Sequence, residues 1–510
     1  MKKTGLLYSL CFSAIFFSCS NDDDNGGKSD PNPDNSVNFQ YLTTIEVGGE
    51  ASAEIVAFDP QTNKLFIVNN EDNTNTKEVT VYNISNLSSP VKGTSIDVSG
   101  EGAANSVAVY NGLLAIAVEA DPKQDPGKVL VYNTDTQTLV NSYTVGALPD
   151  MVTFTPDGTR LLTANEGEPN DDYSVDPEGS VSVIELASGN VTTLSFSSFN
   201  ASEAALEANG FRVFGPGATL AQDVEPEFIA VSDDSRFAYV TLQENNGVAI
   251  VDLTTNQISS ISPLGFKEYS QAGNEIDPSD EDGEKRLRAV PVFGMYQPDA
   301  ITYVNINGTG YLITANEGDA RDYDTFSEEE RIKDLSLDAT AFPNAATLQL
   351  EENLGRLQVT NALGDTDNDN FFEELYSYGA RSFSVWSTTG SLIYDSGSEI
   401  ATRTLSLTPD RFNDDDGRSD AKGAEPEAVT VLNLKDERYI LFVGLERNDQ
   451  ILVYDITNPV APQFLQILSR SEDEAPEGIL VIPAANSPTG KDLLVVANED
   501  SGTVSFYENE

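Results

Sequence analysis

Along most of this chain apolar residues recur at every second position, in runs of four to six bounded by Gly, Pro, Asn and Asp. Nowhere do they sustain a period of 3.6. Alternation of that kind belongs to half-buried β-strands, so the pattern predicts an all-β protein. The runs group into a unit that recurs seven times. Each unit opens on an acidic or Pro-acidic entry and a short β-rich run, turns, and continues into a second apolar run closed by Glu. A third alternating run often ends in Tyr-Asn or Asp. Two clear copies are ValGluProGluPheIleAlaVal (224–231) with TyrValThrLeuGlnGlu (239–244), and AlaGluProGluAlaValThrVal (424–431) with IleLeuPheValGlyLeuGlu (440–446).

Seven units of three or four strands predict a seven-bladed β-propeller. A run at 39–47 precedes the first unit, and its place as outer strand of the last blade would close the circle and remove an exposed edge. A stacked solenoid is the alternative, but it calls for capping units, and neither end has the look of one. The closing glutamates stand 47–53 residues apart in plain units and 73–129 apart elsewhere. The excess marks long loop insertions near 168–178, 195–222, 266–294 and 320–420. Within the last, SerGluGluGlu predicts a short helix over 326–335.

Composition narrows the chemistry. There is no histidine, and the two cysteines are Cys11 and Cys19. Histidine-dependent triads, histidine-ligated zinc and a disulfide framework are therefore excluded. Lys+Arg 29 against Asp+Glu 83 gives a formal charge of −54, which repels nucleic acid and attracts cations. Met1-Lys-Lys, an apolar stretch over 6–17 and Ser18-Cys19 resemble a lipoprotein signal. The stretch is too short to span a bilayer, which needs about 20 residues. The expectation is cleavage after residue 18, acylation of Cys19 and a flexible acidic tether over 19–37, with the propeller over 38–510. The bilayer is then a partner through Cys19 alone, and the rival is an ordinary secretory leader. The acidic run after Cys19 resembles surface-export signals of some Gram-negative lipoproteins, so an outer-membrane protein exposed at the cell surface is expected.

The entry positions are Glu54, Asn105, Asp150, Glu227, Asp299, Glu427 and Glu477. The closing residues are Glu71, Glu119, Glu166, Glu244, Glu317, Glu446 and Glu499. In a propeller the start of strand one and the end of strand two lie at the same rim, so these carboxyl groups should crowd around one mouth of the central funnel. Neighbours about 7 Å apart repel by roughly 2 kcal/mol at an effective dielectric near 20. Such a ring requires protonation, donors or bound cations. Oxygen ligands select calcium, or magnesium in its place. Acidic loops at 277–283, 365–374 and 413–420 repeat the theme. Asp365, Asp367 and Asp369 start like a calcium loop, but Asn370 and Tyr376 stand where Gly and Glu are required, so it is not an EF-hand. Arg286, Arg288, Arg321, Arg381, Arg418 and Lys422 lie in the insertions. They either neutralise nearby acids or hold phosphate or carboxylate beside a metal.

Four segments carry a resemblance over nearly the whole chain after the leader: GlyMetTyrGlnProAspAlaIle (294–301), AlaAsnGluGlyAspAlaArgAspTyr (315–323), residues 373–386 and GlyArgSerAspAlaLysGlyAlaGluProGlu (417–427). They resemble the choice-of-anchor I family and the mesenchyme-specific cell-surface glycoproteins. AlaAsnGlu at 164–166, 315–317 and 497–499 resembles, more distantly, YVTN/lactonase-type propellers. The resemblance implies a secreted or surface-anchored β-propeller whose anchor varies, a role that falls here to Cys19. It carries an alkaline phosphatase label in some relatives but assigns no catalytic residue. The expected function is a non-catalytic surface protein that binds cations and an extracellular ligand. The alternatives are a calcium-dependent phosphoesterase acting on a phosphorylated small molecule, and a lactonase-like hydrolase.

Overall fold

Alternating runs form strands where their apolar face finds a second sheet, and that is what happens seven times over. The structure, a computed structural model, describes residues 37–435 and 437–510. The expectations for residues 1–36, Cys19 and its acylation included, lie outside the described residues. Asn38–Glu510 form one compact all-β unit. Seven antiparallel sheets follow the seven repeats, each of four strands except the first, which has five. Their inner strands are Val56–Asp59, Ala104–Tyr110, Pro149–Phe154, Pro226–Val231, Ile301–Ile306, Pro426–Asn433 and Pro476–Ile482. Each inner strand lies against the next, and the seventh lies against the first.

The faces between sheets carry the core. Val183 and Leu162 of the third sheet meet Val240 and Val251 of the fourth. Val385 and Ile313 of the fifth meet Leu441 and Leu452 of the sixth. Leu493, Phe506 and Ile45 of the seventh meet Leu65 and Ile67 of the first. The strand Phe39–Glu46 pairs with Thr503–Asn509 from Phe39↔Asn509 to Glu46↔Thr503, so the earliest described strand is the outer strand of the last sheet. A solenoid has no such junction of its ends. Phe39 is buried and sits edge-on to Phe442 of the sixth sheet, with ring centroids 5.0 Å apart.

The insertions at 266–294 and 320–420 fold together around a small core of their own, which includes Tyr269, Ile276, Val292, Leu357, Val359 and Leu375. The helix expected over 326–335 is absent. Phe326–Ser327 pairs with Asp322–Tyr323, Glu329–Arg331 pairs with Gln358–Thr360, and a single 3-10 turn follows at Ile332–Asp334. Long-range pairing overrides local helix propensity here. Glu328 turns inward to a buried ion pair with Arg212, a contact that a helix with a solvated acidic first turn would not make. Closure at Phe39 is testable: Phe39→Ala should cost about 3–5 kcal/mol in urea unfolding. An unchanged midpoint would mean that the N-terminal strand contributes nothing to the fold.

Candidate metal centre

Five of the seven entry residues sit at a repeated irregularity of their strands. In the second and third sheets the register slips by one residue at Asn105 and at Asp150. In the fourth, sixth and seventh it slips across the segments holding Glu227, Glu427 and Glu477. A bulge leaves one residue unpaired and re-aims its side chain. Just before four entry prolines the backbone is left-handed at Leu148, Gln297, Glu425 and Ala475. For residues other than glycine that conformation is strained, and its recurrence sharpens the bend into the rim.

The closing glutamates are placed differently. In AlaAsnGlu the Asn is buried and locks the second strand to the third: Asn165 donates to the Ser180 carbonyl and hydroxyl and to Ser182, and Asn316 donates to Ser382 and Ser384. With Asn pinned, the next residue leaves the strand at the rim. Below it, a cavity of about 190 Å³ is lined by residues of six inner strands and by those just before the fifth, Val56, Val107, Val152, Phe228, Ala300, Val429 and Ile479 among others. Asn105, Asp150, Asp299 and Glu477 also line it.

Most of the expected carboxylates act on one another here. Asp150, Glu166 and Glu227 offer oxygens within 4.8 Å of one another, as do Glu317, Glu427 and Glu446. Burial pushes Asp150 up to about 7, and the charges of Glu168 and Glu119 add to it. Burial raises Glu166 well above the carboxylate range, followed by the charges of Asp150 and Glu168. Glu227, Asp299, Glu427 and Glu477 are raised in the same way, burial first and neighbouring rim acids after it. Burial also takes Glu244 and Glu446 to about 7. Glu244 Oε2 is buried without a hydrogen-bond partner, and its charge bears on both Glu166 and Glu227. Glu119 bonds to Asn105, and the charge of Glu499 bears on Glu477, as does that of Glu54. Glu71 is engaged locally, accepting from Gly49 N at 3.2 Å and from the Thr74 hydroxyl at 3.2 Å.

The basic residues are all committed to protein groups. Arg321 reaches Asp223 at 2.7 Å and Glu225 at 3.0 Å, fully inside the fold. Arg381 donates to the carbonyls of Asp277, Ser419 and Ala421. Arg418 pairs with Glu425, and Lys422 with Glu317. Arg288 pairs with Asp282, and Arg286 with Glu284 at the surface. In the loop at 365–374, Asp365 and Asp367 come together with Glu373; Asp369 instead accepts from the Phe371 amide. Glu168, Glu225 and Glu425 belong to the rim's charge system without having been singled out from the sequence. The doubled Glu-Pro-Glu at 225–227 and 425–427 is the signal that points to two of them.

Residues 54–459 match the choice-of-anchor I domain, and the chain belongs to that family. Gigasin-3a of Magallana gigas is 34% identical over 190 residues, covering 32% of this chain and 66% of Gigasin-3a, just under two thirds of that relative's length. Among solved structures, hydrazine synthase of Kuenenia stuttgartiensis aligns with a TM-score of 0.48 at 11% identity, over 90% of this chain and 96% of its own. The Cps50 (Swd1) β-propeller domain of Myceliophteria thermophila aligns with a TM-score of 0.46 at 9% identity, over 93% of this chain and 100% of its own. Among the described residues no helix is long and apolar enough to cross a membrane.

Carboxyl groups whose folded pKa lies above the unfolded value bind protons more tightly in the native state. They stabilise the fold below the unfolded pKa near 4, and that contribution is lost as pH rises toward about 7, where Asp150 and Glu244 ionise. Metal-free protein should therefore melt several degrees lower at pH 8 than at pH 5, measured by calorimetry in chelator. A melting point that rises over that interval would contradict the crowding.

Proposed function

We propose that the seven sheets are the blades of a seven-bladed β-propeller, and that its acidic rim holds a hard divalent cation, calcium or magnesium in its place, at Asp150, Glu166 and Glu227. The protein then acts as a non-catalytic binding protein displayed at the cell surface, tethered through a lipid on Cys19. One observation carries the cation: three crowded carboxylates that form no ion pair with Lys or Arg among the described residues, beside the unpartnered oxygen of Glu244. A divalent ion removes the repulsion that otherwise demands protonation, and it supplies the missing partner. Asp365, Asp367 and Glu373 form a second, more exposed candidate of the same chemistry. Membership of the choice-of-anchor I family supports surface display.

Binding is favoured over phosphoester hydrolysis because Arg321, Arg381, Arg418 and Lys422 are each held by carboxylates or carbonyls. A phosphoesterase needs cations free to meet phosphate beside the metal. Calorimetric titration with calcium and with magnesium tests the reading. Glu166→Gln and Asp150→Asn should each weaken binding at least tenfold, equal to about 1.4 kcal/mol. Unchanged affinity in both would remove the site. Chelator-sensitive turnover of a phosphomonoester, phytate or a lactone would overturn the non-catalytic role.

A further inference from the structure

The two carboxylate triads of the rim are built alike but neutralised differently. Each draws its members from adjacent repeats: Asp150 and Glu166 with Glu227, and Glu317 with Glu427 and Glu446. At Glu317, one member of the second triad, a lysine is already present. Lys422 Nζ lies 2.5 Å from Glu317 Oε1, 3.4 Å from Glu425 Oε2 and 3.5 Å from Asp319 Oδ1. Gln243 donates to the other Glu317 oxygen at 2.8 Å, and Arg447 pairs with Glu446 at 2.7 Å. Around the first triad the basic side chains pair with other acids, Lys123 with Glu168, though Glu166 also bears on its charge, and Arg321 with Asp223 and Glu225.

We propose that Lys422 is a tethered counter-cation that occupies the Glu317–Glu427–Glu446 triad in place of a metal ion, which restricts rim metal binding to Asp150, Glu166 and Glu227. This rests on the cation reading of the rim and adds which of two similar clusters the ion enters. The ammonium brings three donors and one charge to Glu317, Glu425 and Asp319, and the Glu317 oxygen is one that a metal in the triad would have to share. A divalent ion beside it would meet direct like-charge repulsion at short range.

The fold presents the lysine deliberately placed. Arg381, itself buried, donates to the carbonyls of Ser419 and Ala421 and so fixes the segment on which Lys422 stands. Gly423 follows in a left-handed conformation, with Arg381 Cδ only 3.0 Å from where a side chain would begin. The backbone therefore turns tightly over the guanidinium and returns toward the rim at Glu425.

Calcium content is counted by equilibrium dialysis and atomic spectroscopy on the full chain. Lys422→Gln should bind one more ion than wild type, and Lys422→Arg, which keeps the charge, the same number as wild type. Glu166→Gln should bind one fewer. The extra ion should also raise the melting point of Lys422→Gln in calcium relative to chelator by more than wild type gains. An unchanged ion count in folded Lys422→Gln overturns the role of Lys422. An unchanged count in Glu166→Gln counts against the cation reading, and the Lys422→Gln count then still decides for or against the lysine. Should Lys422→Gln fail to fold, terbium-soaked wild-type crystals decide by anomalous scattering. A peak at Asp150–Glu166–Glu227 with none at Glu317–Glu427–Glu446 supports the proposal, and a peak at the second triad sinks it.

Discussion

The architecture depends on the pairing of Phe39–Glu46 with Thr503–Asn509, which joins segments more than 450 residues apart in one sheet. Antiparallel pairing there leaves the seventh inner strand beside the first, and residues in or just before all seven then border the same cavity. Asn105, Asp150, Asp299 and Glu477, from the starts of four of these strands, line that cavity, and Glu166, Glu317 and Glu446, from the ends of second strands, lie within 4.8 Å of entry acids. Concentration of charge there follows from gathering strand starts from distant repeats beside one cavity.

That concentration runs against the usual distribution of acidic residues, which are seldom taken out of water without a partner. The fold meets it unevenly. Around Glu317, Glu425 and Glu446 stand Lys422, Arg418 and Arg447. Around Asp150, Glu166 and Glu227 stand further acids, Glu168 and Glu225, whose charges push Glu166 higher still. Residues outside the repeat pattern thus make one group of rim acids unlike another. The insertions at 266–294 and 320–420 carry a core of their own, built on Tyr269, Val292 and Leu357, beside the segment that ends at Lys422.

Much of this was legible in advance where one repeat could be read against another. The bulged entry acids and AlaAsnGlu strand ends repeat, and repetition separates a positional requirement from chance. The arginines and Lys422 occur once each, inside insertions without periodicity, so their types were visible but their partners were not. Arg321 illustrates the difficulty: Asp223 and Glu225 precede it by 98 and 96 residues, and nothing local couples them. The misread helix at 326–335 has the same origin, because Glu328 is buried by Arg212, 116 residues earlier in the chain.

By itself, the order of residues determined the strand period, the sevenfold recurrence, the excess of negative charge and the absence of imidazole chemistry. Those properties are local or additive, so they can be read without knowing what touches what. Tertiary structure decided which carboxylates share a neighbourhood, which are answered by a lysine or guanidinium, and that Glu71 is held by the Gly49 amide and the Thr74 hydroxyl. Electrostatic pairing falls off over a few ångströms in space and is indifferent to distance along the chain, which is why only the folded molecule could distinguish a triad that pairs with a lysine from one that pairs with no basic residue among those described.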